Sequence, residues 1–283
     1  MNRERISDYL FSLEPEPDLL FARLRQEAET DRVPILRRET ESFLRTLTAA
    51  KKPARILEIG TAIGYSTLVM ARAFEGARIV TIESYAKRIP LARAHFAEAG
   101  CADRIRLLEG DAGVILKTLC ETSDDLFGEP SGELSGKPSD DLFGEPSGEF
   151  SGGLSDKLIG ELSDKSSDGP SDKLIGEPSA ESSGEPCTKP SSELFDLVFL
   201  DAAKAQYLNW LPDILRLMRP QALLIADNVL QDETVMESRF TIERRERTTH
   251  ARMREFLYEI KHNAMLISSV LPLGDGVSLS VKR

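Results

Sequence analysis

The sequence predicts an α/β fold: an open, mostly parallel sheet of seven strands, with helices on both faces and a terminal antiparallel hairpin. Three observations predict it. Short apolar runs alternate with segments of helical periodicity. Each of the first five apolar runs leads into a glycine or an acid, as strands do at the ligand-binding edge of such sheets. The turn Asp275-Gly276 separates the last two runs, which is a hairpin signal.

The first predicted strand ends in a glycine turn. Arg55–Gly60 forms the strand, Thr61–Gly64 the turn, and a helix follows from about Ser66. This arrangement lets a ligand approach the backbone closely and points helix N–H groups at it. Ala62 and Tyr65 occupy the second and third glycine positions of Gly-x-Gly-x-x-Gly, which disfavours a dinucleotide pyrophosphate site. A glycine turn without a ligand is the alternative.

The second and third strands also end in polar residues. Arg78–Glu83 places a carboxylate where nucleoside-binding α/β folds bind the two hydroxyls of a ribose. Ile105–Glu109 is followed by Gly110 and Asp111, and Asp111 is placed to meet an adenine edge. A helix cap is the alternative interpretation of either acid.

The fourth and fifth predicted strands lead into the candidate metal-binding and catalytic residues. An apolar run leads into Asp201, with Lys204 three residues later, and the next run leads into Asp227 and Asn228. On neighbouring parallel strands both acids would stand at one edge of the sheet. Two carboxylates and an amide oxygen suit a hard divalent cation such as Mg²⁺. Each acid alone is also typical of a cap or a turn.

The stretch 122–192 differs from the rest of the chain. A pattern Ser-Asp-x-Leu-[Phe/Ile]-Gly-Glu recurs every 16 residues, starting at Ser123, Ser139, Ser155 and Ser171. The stretch holds 16 acids and 5 lysines, so it accounts for the whole net charge of −11. Few large apolar residues in each repeat predict a disordered acidic insertion; a stacked solenoid is the alternative. Because it joins a helix to a strand, it should leave from the edge opposite the strand tips.

These boundaries predict three regions. Residues 1–52 hold three helical patterns that pack on the core or form a dimer contact. Residues 53–121 and 193–283 form the α/β domain, and residues 122–192 form the insertion. We expect no membrane span, since no apolar run reaches about 18 residues, and a cytoplasmic location, since Cys101, Cys120 and Cys187 show no disulfide or zinc spacing.

Five motifs share the predicted edge of the sheet: Leu57–Ser66, Thr81–Glu83, Gly110–Ala112, Phe199–Lys204 and Asp227–Leu230. In this combination the sequence resembles the Rossmann-like class I S-adenosylmethionine (SAM)-dependent O-methyltransferases of the cation-dependent catechol and caffeoyl-CoA type. The resemblance covers nearly the whole chain except 122–192.

The resemblance implies a role for each site residue. Cofactor-binding residues would be Val33, Glu58, Gly60, Thr61, Gly64, Tyr65, Ser66, Glu83, Asp111, Ala112 and Asp201. The methionine end of SAM would lie near Glu58, Gly60 and Ser66. Asp201, Asp227 and Asn228 would ligate Mg²⁺. Asp201 and Lys204 would be catalytic, with Lys204 beside the acceptor oxygen as a base; an ion pair with Asp201 is the alternative role for Lys204.

The acceptor is indicated by a closer resemblance. The break Val33–Ile35, the arginine-rich stretch between Arg239 and Arg254, and the ending Leu271–Gly276 are similar to those of bacterial tRNA 5-hydroxyuridine methyltransferases. This implies a tRNA anticodon loop as partner and a homodimer. The alternatives are a small catechol-like or phenolic substrate and, in another functional class, an inactive nucleoside-binding scaffold that recruits partners through the acidic repeats. Runs that mix Arg and Glu are also typical of a solvated helix face.

Overall fold

The computed structural model describes residues 3–16, 18–122, 193–231, 234–238 and 240–283. These residues form one seven-stranded sheet with the strand order β3-β2-β1-β4-β5-β7-β6. The strands are β1 Arg55–Ile59, β2 Arg78–Glu83, β3 Ile105–Glu109, β4 Phe195–Leu200, β5 Met218–Ala226, β6 Leu266–Leu271 and β7 Val277–Lys282. The helices are α1 Arg3–Ser12, α2 Leu19–Thr30, α3 Arg38–Lys51, α4 Tyr65–Ala73, α5 Ile89–Glu98, α6 Ala112–Glu121, α7 Tyr207–Leu217 and α8 Arg247–His262.

The predicted topology is confirmed. Strands β1 to β5 pair in parallel, whereas β7 pairs antiparallel with both β5 and β6. The apolar run of β5 begins at Ala222, but the strand itself starts four residues earlier, because Met218 already pairs with Phe195. The ladder is irregular between Phe195 and Leu197, and Gln221 has a positive φ of 63°. This local irregularity hides the start of β5 from sequence patterns.

Two apolar cores lie on opposite faces of the sheet. One is built by α6, α7 and α8 through residues such as Leu116, Ile214 and Phe256. The other is built by α2 to α5, and it includes Leu24 and Leu44. The helices α2 and α3 therefore pack on the sheet, which was one of the two expectations for the N-terminal region.

Helix α1 differs from α2 and α3 because its apolar side chains Ile6, Tyr9 and Leu10 are exposed. Its described contacts include a hydrogen bond from the Ser7 hydroxyl to Glu39 of 2.6 Å. Among the described residues, no helix is both long enough and apolar enough to cross a bilayer.

The acidic repeats, predicted to be disordered, lie outside the described residues. The described chain stops at Thr122, just after α6, and resumes at Glu193, just before β4. Both positions lie at the amino-terminal ends of the parallel strands, because α6 begins at the opposite edge of the sheet and β4 runs toward it. The segment between them is thus joined to the fold at the edge away from the strand tips.

The backbone at the end of β1 lies very close to the backbone that follows β4. Gly60 has a φ of 104°, and a Cβ atom there would lie 2.0 Å from the Asp201 carbonyl oxygen. The Asp201 N–H donates to the Ile59 carbonyl at 3.0 Å. A glycine is required at this position because both its φ and its clearance exclude a side chain.

A pair of glycine substitutions tests this constraint. Gly100 also has a positive φ, of 65°, but a Cβ atom there would meet nothing within 4 Å. We expect Gly100→Ala to cost about 1 kcal/mol for backbone strain alone, and Gly60→Ala to cost clearly more, about 3 kcal/mol or above, because strands must separate. Urea unfolding measures both, and equal costs would contradict the close approach.

Candidate active site

A cavity of about 900 Å³ lies at the carboxyl edge of the parallel strands. Its walls come from the segments that follow β1 to β5 and from the segment between α2 and α3. Ligands of α/β sheets bind at this edge, and the volume suits a nucleoside-sized molecule together with a second small ligand.

The glycine turn forms one wall of the cavity. Gly60, Thr61, Tyr65 and Ser66 line it, and α4 begins at Tyr65. Gly64, the residue before α4, has a φ of 87°, and a Cβ atom there would lie 2.5 Å from the Phe96 ring. Gly64 therefore packs against Phe96 on the side of the turn away from the cavity, and it is not among the lining residues.

Glu58 lies behind the same wall and is fully buried. It accepts hydrogen bonds from the hydroxyls of Ser66, at 2.6 Å, and of Thr67 and Thr81. Burial raises the pKa of Glu58 to about 7, although the three hydroxyl donors act to lower it. In this arrangement the carboxylate anchors α4 to β1 and β2. It is linked to the cavity through the Ser66 side chain and, by way of Thr81, through the Thr61 hydroxyl, which lies 2.6 Å from that of Thr81.

Glu83 faces the cavity from the end of β2. One carboxylate oxygen accepts the Ala62 N–H at 2.7 Å, and the other accepts the Ser84 and Tyr85 N–H groups at 2.9 and 2.8 Å. These backbone bonds fix the carboxylate in one orientation. A carboxylate accepts about four hydrogen bonds, so the oxygen that accepts the Ala62 N–H keeps one lone pair for a ligand hydroxyl.

Asp111 is both a helix cap and a lining residue of the cavity. It caps α6, since its side chain accepts the Val114 N–H at 3.0 Å, and it also lines the cavity next to Ala112. Trp210 of α7 closes this end, and a Cβ atom on Gly113 would lie 3.1 Å from its indole nitrogen.

Asp201 and Lys204 form an ion pair at the opposite end of the cavity. The Lys204 ammonium donates to Asp201 at 2.6 Å and to the Tyr207 hydroxyl at 3.0 Å. Burial alone would lower the pKa of Lys204, but Tyr207 and Asp201 together raise that pKa above its usual value. Lys204 is therefore a protonated partner of Asp201 in this arrangement, and its role as a base stays a prediction.

Asp227 and Asn228 lie beside this pair because β4 and β5 end in register, with Leu200 opposite Ala226. The Asp227 Oδ1 atom is buried and has no hydrogen-bond partner among the described residues. Burial, Asp201 and Asp275 raise the pKa of Asp227 to about 7, against smaller effects of Lys204 and the Asn228 backbone. Asn228 adopts a left-handed conformation, with a φ of 57°, and lines the cavity.

Most of the residues predicted from sequence gather in this cavity. Its lining includes Gly60, Thr61, Tyr65, Ser66, Glu83, Asp111, Ala112, Asp201, Lys204 and Asn228. It does not include Val33, Glu58, Gly64 or Asp227. In place of Val33, the next three residues, Pro34–Leu36, form the wall.

Several other lining residues carry no clear signal in the sequence. They include Trp210 of α7, Arg88 before α5 and Lys117 of α6. The only signal for Trp210 was that it is the single tryptophan of the chain. Helical periodicity assigns such a residue to the core, and Trp210 indeed contributes to a core cluster as well.

The comparisons with known proteins agree with this geometry. The sequence model of a family described as O-methyltransferase matches residues 13–129 and 179–283. The chain belongs to this O-methyltransferase family. The family membership predicted from the five motifs is thereby confirmed, and so is the Rossmann-like methyltransferase fold.

Two curated relatives are catechol O-methyltransferases. The chain is 26% identical to that of Niastella koreensis over 200 residues, 70% of this chain and 60% of that protein. It is 41% identical to that of Mycobacterium tuberculosis over 85 residues, 30% of this chain and 39% of that protein. The chain thus matches less than two thirds of the length of either relative.

Solved structures show the same fold. The O-methyltransferase of Bacillus cereus, in complex with S-adenosylhomocysteine (SAH), has a TM-score of 0.67, 20% identity and coverage of 99% of this chain and 97% of that one. TomG of Streptomyces achromogenes, an O-methyltransferase of tomaymycin synthesis in complex with SAM, has a TM-score of 0.66, 22% identity and coverage of 100% and 99%.

The buried Glu58 makes stability depend on pH. Its pKa is about 7 in the folded chain, against 4.5 when unperturbed, so between these pH values the folded chain binds more protons and stability falls as pH rises. Compared with Glu58→Gln, the wild type should lose up to about 3 kcal/mol of unfolding free energy between pH 5 and 8. Urea unfolding at several pH values measures this, and a difference independent of pH would contradict it.

Proposed function

We propose that this chain is a SAM-dependent O-methyltransferase that requires a divalent cation. The observation that carries the proposal is the shared cavity, with a glycine turn and the Glu83 carboxylate at one end and Asp201, Lys204 and Asn228 at the other. A cofactor and a chelated acceptor oxygen would then meet inside one cavity. Family membership and the SAH and SAM of the two solved structures support the cofactor.

The cofactor would be held by groups already in place. Glu83 has acceptor capacity left on one oxygen for a ribose hydroxyl, and Asp111 with Ala112 would flank the adenine beside Trp210. The methionine end would lie against Gly60, Thr61 and Ser66. The Gly60 and Thr61 N–H groups already donate to the Ile82 carbonyl, and the Ser66 hydroxyl, which donates to Glu58, keeps its acceptor lone pairs for the cofactor amine. Glu58 would act on the cofactor through Ser66, as a positioning residue.

The donor set Asp201, Asp227 and Asn228 fits a hard cation. The buried, unpartnered Asp227 Oδ1 supports this, because such an oxygen is costly unless a proton or a cation neutralises it. The described residues contain no group of three or more His, Cys, Asp or Glu side chains with metal-binding spacing; the proposed set has two carboxylates and one amide. When bound, the cation would lower the pKa of the acceptor hydroxyl and orient it.

As the neutral amine, Lys204 would accept the proton of the acceptor hydroxyl. Its ammonium is paired with Asp201 at 2.6 Å, so the base role requires that this pair opens and that Lys204 first releases its own proton to water. Tyr207 keeps the lysine in place through a second hydrogen bond of 3.0 Å. A closed, dry cavity favours attack of an oxyanion on a positive sulfonium, because the transfer neutralises charge.

We propose residues 53–121 and 193–283 as the catalytic domain, with 1–52 as its N-terminal cover and 122–192 as an insertion. Without the insertion, the rest of the sequence holds 31 acids and 31 bases, so the net charge of −11 does not describe the catalytic body. The described chain on either side of the insertion ends at the edge of the sheet away from the cavity. The expected homodimer stays a prediction.

For the acceptor, we propose 5-hydroxyuridine at the wobble position of tRNA. O5 and the neighbouring O4 can chelate one cation as a catechol does, and a single-stranded base can enter a pocket. Basic side chains at the start of α8 and before it support contact with phosphates. They are Arg244, Arg245, Arg247, Arg252 and Arg254; Arg239 lies outside the described residues.

A small phenolic substrate is the alternative acceptor, and an inactive scaffold is the alternative from another functional class. Arg245 pairs with Glu243 at 2.9 Å and Arg252 with Glu255 at 3.1 Å, as expected of arginines on a solvated helix face. In addition, two curated relatives are named catechol O-methyltransferases. These observations favour a small phenolic acceptor. An inactive scaffold is opposed by the cavity, which retains Asp201, Lys204 and Asn228.

The metal proposal predicts the behaviour of Asp227→Asn. Mg²⁺ should raise the melting temperature of the wild type by binding the folded state, but not that of the variant. Methyl transfer should fall by at least about 100-fold, while the metal-free variant stays as stable as the wild type because a buried charge is removed. Asp103→Asn, an exposed acid, is the control. Undiminished transfer by Asp227→Asn, or by the wild type with a chelator, would refute the proposal.

The acceptor proposal is tested with two substrates. Incubation with SAM should convert 5-hydroxyuridine in tRNA to 5-methoxyuridine, as measured by nucleoside mass spectrometry, and the rate should fall steeply with salt. Arg245→Ala should lower the log–log salt slope by about 1, whereas Arg93→Ala, on the opposite face of the sheet, should not. Efficient methylation of catechol with no turnover of tRNA would decide for the small phenolic acceptor.

A further inference from the structure

The N-terminal helices contact the glycine turn through a buried polar network. The Tyr65 hydroxyl donates to the Glu41 carboxylate at 2.7 Å, and Arg25 donates to the same carboxylate oxygen at 2.7 Å. Arg25 also donates to the Tyr65 hydroxyl at 3.0 Å. One residue each from α2, α3 and α4 thus closes a three-membered ring of hydrogen bonds.

Arg25 also holds the segment between α2 and α3 that lines the cavity. Its second guanidinium nitrogen donates to the Leu36 carbonyl at 3.2 Å. Pro34, Ile35 and Leu36 line the cavity opposite the glycine turn. Arg25 therefore ties this segment to Tyr65, which lines the cavity from the other side.

The surroundings make the network rigid. The side chains of Arg25 and Glu41 are 17% and 15% exposed, and the Arg25 guanidinium lies over the Tyr65 ring, 5.0 Å from its centroid. Phe21 packs edge-on against the same ring at 5.5 Å. Burial raises the pKa of Tyr65, so its hydroxyl stays a donor at physiological pH. A charged pair with several hydrogen bonds in such a place is stronger than an exposed one.

Helix α2 contacts the turn at a second point. His95 of α5 hydrogen-bonds to the Ile63 carbonyl at 2.8 Å, and its other ring nitrogen lies 3.5 Å from Glu27 of α2. Two separate contacts thus couple α2 to the backbone that would meet the cofactor. The cover formed by α2 and α3 is joined to the turn by polar side chains in addition to apolar packing.

We propose that Arg25, Glu41 and the Tyr65 hydroxyl form a latch that keeps the segment Pro34–Leu36 closed over the bound cofactor and so sets how long the cofactor stays. The proposal rests on the proposed function, since it assumes that the cavity takes SAM. Arg25 and Glu41 are positioning residues, because they act on the ligand through Leu36 and Tyr65. An unlatched segment would open more often, which speeds cofactor dissociation more than it slows association.

Two variants of the full chain test the latch with SAH as the probe. Tyr65→Phe removes one hydroxyl and keeps the ring, while Glu41→Gln keeps an acceptor oxygen but loses the charge that pairs with Arg25. The control is Tyr258→Phe, whose ring is partly exposed on α8. Stopped-flow binding gives the two rate constants, calorimetry gives Kd, and thermal unfolding without ligand reports a purely structural effect.

We expect Tyr65→Phe to raise the Kd for SAH and its dissociation rate by about 3- to 10-fold. Glu41→Gln should have a similar effect, Tyr258→Phe none, and the KM for the methyl acceptor should not change. If the wild type binds SAH and the dissociation rate is the same for both latch variants, the latch is overturned and the proposed function stands. This holds even if the melting temperatures of the variants fall. No binding of SAH by the wild type would overturn the proposed function itself, and the latch with it.

Discussion

The site depends on the close approach of two strand ends. Gly60 and Asp201 follow neighbouring parallel strands, and the backbone of one lies where a side chain of the other would have to be. Because the tips of β1 and β4 touch, the glycine turn and the acidic edge open into one cavity. A larger residue at Gly60 would separate the wall proposed for the cofactor from the wall proposed for the cation.

The charge state of the site's carboxylates depends on their burial and not on the net charge of the chain. Glu58 and Asp227 are buried carboxylates with raised pKa values, but only Glu58 is compensated by hydroxyl donors. The Oδ1 atom of Asp227 is buried without a hydrogen-bond partner among the described residues, and it is the oxygen on which the proposed cation site depends. The acidity of the chain as a whole resides in 122–192 and says nothing about this balance.

The strand ends could be predicted from the sequence because their signals are local. Buried parallel strands read as apolar runs, and an acid directly after such a run must lie at the carboxyl edge, so Glu83, Asp201 and Asp227 could be placed without coordinates. Contacts between distant segments leave no such signal. The hydroxyl cluster around Glu58 and the ring that joins Arg25, Glu41 and Tyr65 depend on how helices pack, and an amphipathic pattern does not record that.

The central claim is that one cation and one SAM-derived ligand share this cavity. Crystals grown with SAH and Mn²⁺, with anomalous data at the manganese edge, test it most directly. The account predicts a single strong peak within about 2.5 Å of oxygens from Asp201, Asp227 and Asn228, with the SAH sulfur next to it and the ribose on Glu83. SAH bound in the cavity with no metal on these three residues, or with manganese held elsewhere, would contradict it.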